Sequence, residues 1–380
     1  MRTTRAALAL SALAVAISVP VVQAQEGPLR VGLEAPLSGP LAILGDSMLT
    51  GAQLAAMELN RAGGVLGRTV TVIPIDDGGD KAIGVPAAEA AIAAGLDVVV
   101  GPYNSGVGIE TLPLYIDAGT VPVRLTSNDT TSGLGYTLQP MTYQIAPVAA
   151  HALAAWLGAT NVALLVDETQ NYTVTIADAL VQELGDRGVT VTRTAITPGL
   201  EDYADVAAAV LAAGHDAVYL DVYTPEGGRI AKALHEAGST IACLADYATY
   251  DTGYVAYAGL DAARACDVVG VPAPDDFPGA TKYLVAHEAE FGRAPGSWTP
   301  YTYDSTMLLA DAIERAGTTE LAALSAALDA TTVWAGWTGA VSIDPATGDR
   351  VPATVVVANV NEEGELHVDA EWADAVDAPF

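Results

Sequence analysis

The sequence predicts an α/β protein built from two doubly wound parallel-sheet lobes with a cleft between them, and three observations carry that prediction. Short apolar strands alternate with single helices along most of the chain. Strands that are apolar on both faces and linked through helices belong to parallel sheets covered on both sides. The alternation also falls into two runs that meet near Ala146, and the remainder, Asp267–Phe380, is too short for a third α/β domain. Its elements are therefore expected to be shared, with the chain crossing between lobes more than once. The expected division is 25–145 with 273–332 in one lobe, and 146–272 with 333–380 in the other.

In the first run, Leu29–Pro36 reads as a strand. Gly45–Ala62 reads as a helix with Leu49, Leu54, Ala55, Met57 and Leu59 on an apolar side. Gly63-Gly64 closes it, because glycine readily takes the left-handed conformation of a helix cap. Strands are expected at Thr69–Asp76, Asp97–Gly101 and Val121–Leu125, and helices at Ala82–Ala94 and Val107–Ala118, the latter in spite of Pro113. In the second run, helices are expected at Val148–Leu157, Thr173–Arg187, Tyr203–Ala213 and Pro225–Ala237. They alternate with strands at Asn161–Val166, Val189–Ala195, Ala217–Asp221 and Thr240–Leu244. The remainder holds a strand, two or three helices, and strands at Trp334–Ile343 and Val351–Val360.

The N-terminus reads as an export signal. Arg2 and Arg5 precede an apolar run from Ala6 to Val22, and Val22-Gln23-Ala24 offers a peptidase site, so cleavage is expected after Ala24. The run is shorter than the roughly 20 residues a spanning helix needs, and Ser11, Ser18 and Pro20 interrupt it. Loss of the signal removes two arginines and takes the net charge from −30 to −32. Such a surface repels nucleic acid and anionic membranes, while 51% hydrophobic against 16% charged residues is too apolar for a disordered chain. Export permits a disulfide, for which Cys243 and Cys266 are the candidates; two buried thiols are the alternative. Two cysteines and five histidines leave little material for a metal centre, and neither metal nor cofactor is expected.

Catalytic patterns fail one after another. His235-Glu236 and His287-Glu288 lack the second histidine of a zinc-peptidase helix. Gly45-Asp46-Ser47 does not continue as a nucleophile elbow. Gly106-Val107-Gly108 and Gly133-Leu134-Gly135 lack the third glycine of a dinucleotide loop, and Asp76-Asp77-Gly78-Gly79-Asp80 reads as a solvated turn rather than a calcium loop. Asp251-Thr252-Gly253 has no second copy with which to share a proton.

A longer pattern is informative. Leu37-Ser38-Gly39-Pro40, Gly45-Asp46, Gly51-Ala52 and Glu58-Leu59-Asn60-Arg61-Ala62-Gly63-Gly64-Val65-Leu66-Gly67-Arg68 resemble the leucine/isoleucine/valine-binding family of periplasmic receptors, the solute-binding components of ABC importers. Asp76-Asp77, Val100-Gly101-Pro102 with Ser105, and Tyr301-x-Tyr303-Asp304 continue the resemblance in the same order. It implies the type I periplasmic binding fold, closure on a small ligand by hinge motion, a membrane permease as partner, and a monomer in the periplasm.

In doubly wound sheets ligands bind beyond the carboxyl ends of the strands, where helices begin. Tyr103-Asn104-Ser105 lies there, ahead of the helix near Val107, whose first amides and the Ser105 hydroxyl suit a carboxylate; Ser105 as a simple helix cap is compatible with this. The resemblance places the ligand's carboxylate at this point. It also places Asn128 and Asp129 where the family has an alanine and a threonine that touch ligand. Asp129 is a departure that could receive an ammonium, mark a different ligand, or serve only as a turn residue. Arg124, unusual in a buried strand, is expected to pair with a nearby acid, with contact to the ligand as the alternative. In the second lobe Tyr172, Tyr223 and Asp246 follow strands and resemble the family's two tyrosines and its ammonium-binding acid, here Asp rather than Glu; Asn171 could take the place of Tyr172. Leu44 and Leu41 are candidate apolar walls, or core. The expected ligand is an aliphatic, branched-chain amino acid. An aromatic acid, short amide or urea on the same scaffold, a sensory receptor, and an enzyme are the alternatives.

Overall fold

The structure, a computed structural model, describes residues 27–251 and 253–376. The signal segment with its cut after Ala24, and Thr252 of Asp251-Thr252-Gly253, lie outside the described residues.

Five parallel strands form the first sheet: β1 (Leu29–Ala35), β2 (Val70–Asp76), β3 (Val98–Val100), β4 (Val121–Arg124) and β5 (Tyr136–Thr137), in the order β2-β1-β3-β4-β5. Helices α1 (Ala42–Arg61), α2 (Lys81–Ala93) and α3 (Ser105–Asp117) connect them. Then come α4 (Thr142–His151), β6 (Asn161–Val166), α5 (Asn171–Asp186), β7 (Thr190–Ala195), α6 (Ala204–Ala212), β8 (Ala217–Asp221), α7 (Glu226–Glu236), β9 (Ala242–Ala245), α8 (Tyr254–Ala258), α9 (Leu260–Arg264) and β10 (Asp267–Gly270). The chain continues through α10 (Thr281–Phe291), α11 (Thr299–Ala316), α12 (Leu321–Asp329), the hairpin β11 (Trp334–Gly336) and β12 (Gly339–Val341), β13 (Val356–Val360), β14 (Leu366–Val368) and α13 (Ala370–Ala375). The second sheet runs β14-β13-β10-β9-β8-β6-β7, parallel except where β13 and β14 join it antiparallel. No helix among the described residues is long and apolar enough to cross a membrane.

The shared remainder goes where each lobe has an open flank. Helix α11 lies along α1: the Thr302 hydroxyl donates to the Met48 carbonyl at 2.8 Å, and Tyr303 donates to Glu58 at 2.6 Å. Gly51 permits this approach, since a Cβ there would sit 2.2 Å from Thr302 Oγ1. Gly64, at φ +84°, makes the turn after α1. The described chain passes between the sheets at 138–141, 271–280 and 342–355. Asp304 ties the hairpin to α11 by accepting the Trp337 and Thr338 amides, both at 2.7 Å. Arg350 then joins two crossings, donating to the carbonyls of Thr338 at 2.7 Å and Leu138 at 3.4 Å.

Several elements differ from expectation. Helix α4 begins at Thr142, not Val148, because the Gln144 side chain accepts the Met141 amide at 2.9 Å and supplies an N-terminal cap ahead of Pro147. It then continues as a wider π-turn over Ala152–Trp156. Trp334–Ile343 is a hairpin turning at Trp337-Thr338, and the strand expected from Val351 starts only at Val356. The short helices α8 and α9, between β9 and β10, were not expected at all. Asp76-Asp77-Gly78-Gly79-Asp80 is a turn but not a solvated one throughout: Asp77 is buried and accepts the Gly79 amide, while the exposed Asp80 caps α2 through the Ala82 amide.

Cys243 and Cys266 form a disulfide with a Cα–Cα distance of 4.5 Å. It joins β9 to the residue preceding β10, on the amino side of strands whose carboxyl ends face the cleft. Arg124 is fully buried and pairs with the equally buried Asp349 at 2.5 Å, while its Nε donates to the Thr131 carbonyl at 2.9 Å. This fastens the end of β4 to the third crossing.

Candidate functional site

The carboxyl ends of both sheets face one another, and the loops that leave them make the cleft. From the first lobe come Tyr103, Asn104 and Ser105 after β3, and Leu125, Ser127 and Asn128 after β4. From the second come Tyr172 in the first turn of α5, Tyr223 after β8, and Asp246 and Tyr247 after β9. All are buried. The two halves touch. Asn128 Nδ2 donates to the Asn171 carbonyl at 3.2 Å and to Thr175 Oγ1 at 2.8 Å, and Tyr103 meets Tyr223 with ring centroids 6.4 Å apart. Between them lies a cavity of about 10 Å³, lined among others by Tyr103, Ser105, Ser127, Tyr172, Tyr223 and Tyr247. That is room for about one water, so a solute enters only when the lobes part.

The two walls differ in polarity. On the first-lobe side, Ser105 opens α3, so the free amides of that helix end give the wall a partial positive charge. The Asn128 amide donates to Ser105 Oγ at 3.3 Å, which leaves the hydroxyl proton for another acceptor. On the second-lobe side stand Asp246 and Asp221, both fully buried. Burial raises Asp246 to about 6, against the hydrogen bonds from Tyr219 and the Ala248 amide that lower it. Burial, and then the neighbouring Asp246, push Asp221 well above the ordinary carboxylate range.

The expected residues divide into four groups. Tyr103, Ser105, Tyr172 and Tyr223 line the cavity, with Asn104 buried directly beside them. At the uncertain register it is Tyr172 that points inward, while the Asn171 side chain is exposed and its carbonyl holds Asn128. Asp246 lies behind the wall, with Tyr219 on Oδ1 at 2.6 Å and the Ala248 amide on Oδ2 at 2.8 Å. Asn128 is occupied as a bond between lobes, and its Oδ1 accepts the Thr130 amide. Leu44 and Asp129 are not among the cavity-lining residues. Leu44 is packed in the core from α1, and Asp129 accepts the Tyr143 amide at 3.2 Å. Both follow from helical geometry: Leu44, in the first turn of α1, lies on its buried side, and Asp129, starting a 3₁₀ turn, meets the first turn of α4.

Other cleft residues were not foreseen. Trp298, just before α11, packs on Tyr103 and Tyr247, each at 5.4 Å. The Tyr247 hydroxyl donates to Gln139 Oε1 at 3.2 Å, leaving Gln139 Nε2 buried without a partner. Trp298 Nε1 and both oxygens of Asp221 share that condition. Trp298 arrives from nearly 200 residues downstream of Tyr103, which no local pattern signals; Asp221, as an acid closing an apolar strand, was the readable clue.

A larger cavity of about 820 Å³ opens between α10, Ala273–Asp275 and β14, away from the Ser105 wall. Asp275, Asp276 and His367 at its edge present ligand atoms within 4.8 Å of one another. Asp276 is already engaged there by the Ala273 and Val368 amides and by His367.

Two α/β lobes, three crossings and a polar cleft with walls of opposite sign define a ligand-binding clamp. Over residues 28–365 the chain matches the periplasmic binding protein family, and it belongs to that family. It is 32% identical over 304 residues to the Leu/Ile/Val-binding protein BraC3 of Rhizobium johnstonii, a match covering 77% of this chain and 80% of that protein. Among solved structures, the leucine binding protein LivK from Thermotoga maritima superposes with a TM-score of 0.83 at 23% identity, over 90% of this chain and 98% of that one. The branched-chain amino acid transporter substrate binding protein LivJ from Streptococcus pneumoniae, in complex with isoleucine, gives 0.80 at 22% identity, over 89% and 97%. At such identities the likeness defines the fold, the two-lobed type I arrangement, and leaves function to the site.

Proposed function

We propose that this chain is the extracytoplasmic solute-binding component of an ABC importer, that it clamps an aliphatic, branched-chain amino acid between its lobes, and that it delivers it to a membrane permease. The observation that carries this is the polarity of the cleft: helix-end amides and Ser105 on one wall, carboxylates on the other. An α-amino acid has the matching pair, a carboxylate and an ammonium on one carbon, and the tyrosine rings between the walls accept an apolar side chain. The names of its relatives point the same way. Tyr103, Asn104, Ser105, Tyr172, Tyr223 and Asp246 are the contacts proposed for the ligand, with Asn128 acting across the lobes. Ligand touching both halves favours the closed state by its differential contacts. The rigid halves are taken as 25–145 with 273–332 and 146–272 with 333–380, except that the hairpin 334–341, which Asp304 ties to α11, moves with the first half; the chain acts as a monomer released after Ala24. The chain is read as a carrier, not an enzyme; the reading is supported by its membership of the periplasmic binding protein family.

A thermal-shift screen of the mature protein against the twenty amino acids, aromatic acids, short amides and urea tests the reading. Leucine, isoleucine or valine should raise the melting midpoint, and calorimetry should give a dissociation constant near micromolar, about −8 kcal/mol. A response confined to aromatic acids, amides or urea would overturn it. The density of rings around Tyr103, Tyr247 and Trp298 favours an aromatic acid as the second reading, but such a ligand brings no ammonium to the acidic wall.

A further inference from the structure

The acidic wall contains a second carboxylate whose surroundings differ from those of Asp246. Strands β8 and β9 pair in parallel with Leu220 opposite Ala245, so the next residues, Asp221 and Asp246, stand side by side at the cleft edge. Side chains two apart on a strand share a face. Tyr219 therefore points as Asp221 does, and its hydroxyl reaches Asp246 at 2.6 Å, which puts both carboxylates on that face. Asp246 has both oxygens filled by Tyr219 and the Ala248 amide. Asp221 is equally buried, and neither of its oxygens has a hydrogen-bond partner.

The groups that act on Asp221 come from every neighbouring element. They are Asp246 after β9, Asp167 and Glu168 after β6, and Arg193 on β7. Tyr172 of α5, Tyr219 and Tyr223 complete the set; burial first, then Asp246, with Asp221 a lesser influence, holds their hydroxyls protonated. The one cation among these, Arg193, is engaged by Glu168 at 2.7 Å and Asp178 at 2.5 Å. A buried carboxylate with no donor is costly. Tyr172 and Tyr223, two of this set, line the cleft cavity.

We infer that Asp221 is the carboxylate that receives the ligand's ammonium, with Asp246 positioned beside it, and that this pair restricts the site to ligands bearing a primary ammonium. An –NH₃⁺ group offers three donors to oxygens that otherwise have none; a quaternary ammonium offers no donor, and an anionic or amide end leaves the pair uncompensated. Two adjacent buried carboxylates cannot both ionise, so the pair holds a proton before ligand enters, and the arriving ammonium sends that proton to solvent. The inference rests on the amino-acid reading above.

The test is calorimetry at pH 7 on the mature protein and its Asp221→Asn variant, with L-leucine and with 4-methylpentanoate, which is leucine without its ammonium. Asp221→Asn should weaken L-leucine by about tenfold or more, as loss of a charge-assisted bond requires, and should leave 4-methylpentanoate no weaker. Equal losses for both ligands, or no loss for leucine, would overturn the inference while leaving the carrier reading intact. If Asp221→Asn does not fold, titration of the wild type in buffers of different ionisation enthalpy decides: release of about one proton per leucine supports the pair, and none overturns it. A wild type that binds no amino acid at all defeats the proposed function itself, and this inference with it.

Discussion

Asn128→Asp isolates the bond that holds the lobes together. The substitution preserves size and keeps the oxygen that accepts the Thr130 amide at 2.9 Å, so the local turn survives. It removes the Nδ2 donor to Thr175 Oγ1 at 2.8 Å and to the Asn171 carbonyl at 3.2 Å, and sets a carboxylate oxygen against that carbonyl. Each neutral hydrogen bond contributes about 1 kcal/mol net, and the repulsion adds to the loss, so the closed state should weaken by about 2–3 kcal/mol. That corresponds to a roughly 30- to 150-fold shift of the opening equilibrium. Both bonds cross between lobes, so the shift should appear in ligand escape, while encounter with the open protein is unaffected. Stopped-flow tyrosine and tryptophan fluorescence with the best-binding amino acid should show the dissociation rate rising by that factor at a nearly constant association rate. An unchanged dissociation rate would refute the assignment of Asn128 as an interlobe bond.

Asp349→Ala should destabilise the protein by about 3–5 kcal/mol in urea unfolding by stranding the buried Arg124. A double Arg124→Met, Asp349→Leu variant should recover most of that, and a double variant as unstable as the single one would contradict the reasoning. Cys243→Ser with Cys266→Ser should cost about 3 kcal/mol without altering ligand affinity, because the bridge itself lies on the amino side of β9 and β10, across the sheet from Asp246 and Tyr247; a changed dissociation constant would argue otherwise. Burial raises Asp77 and Asp267 to about 7, and Asp304 to about 6. Between the unfolded carboxylate value and those values the folded protein binds more protons than the unfolded one, so stability should fall as pH rises from about 4 to 7. Asp77→Asn should flatten part of that slope in urea titrations across the range, and an unaltered slope would exclude Asp77 as a contributor. Ser105→Ala should weaken amino-acid binding about five- to tenfold through loss of one hydroxyl donor to the ligand carboxylate, measured by calorimetry; unchanged affinity would leave Ser105 as a cap only.

Local pattern determined a large part of this molecule. Apolar runs such as Val98–Val100 and Ala217–Asp221 can only be central strands, and Gly63-Gly64 can only end a helix, because burial and backbone conformation are settled within a few residues. Once strands and helices alternate, the loops at their carboxyl ends are named in advance, which is how Ser105, Tyr172 and Tyr223 could be read as cleft residues. Only the tertiary structure decided which side chains meet. Trp298 joins Tyr103 because α11 packs on α1, and Arg124 finds Asp349 because the third crossing returns to β4. Leu44 and Asp129 sit away from the cavity because helix phase, not chain position, aims a side chain. The contrast between a satisfied Asp246 and an unsatisfied Asp221 likewise depends on Tyr219 and Ala248 reaching one of them and not the other. Hydrogen-bond partners are chosen in three dimensions over distances of a few ångströms, and a linear pattern does not encode them.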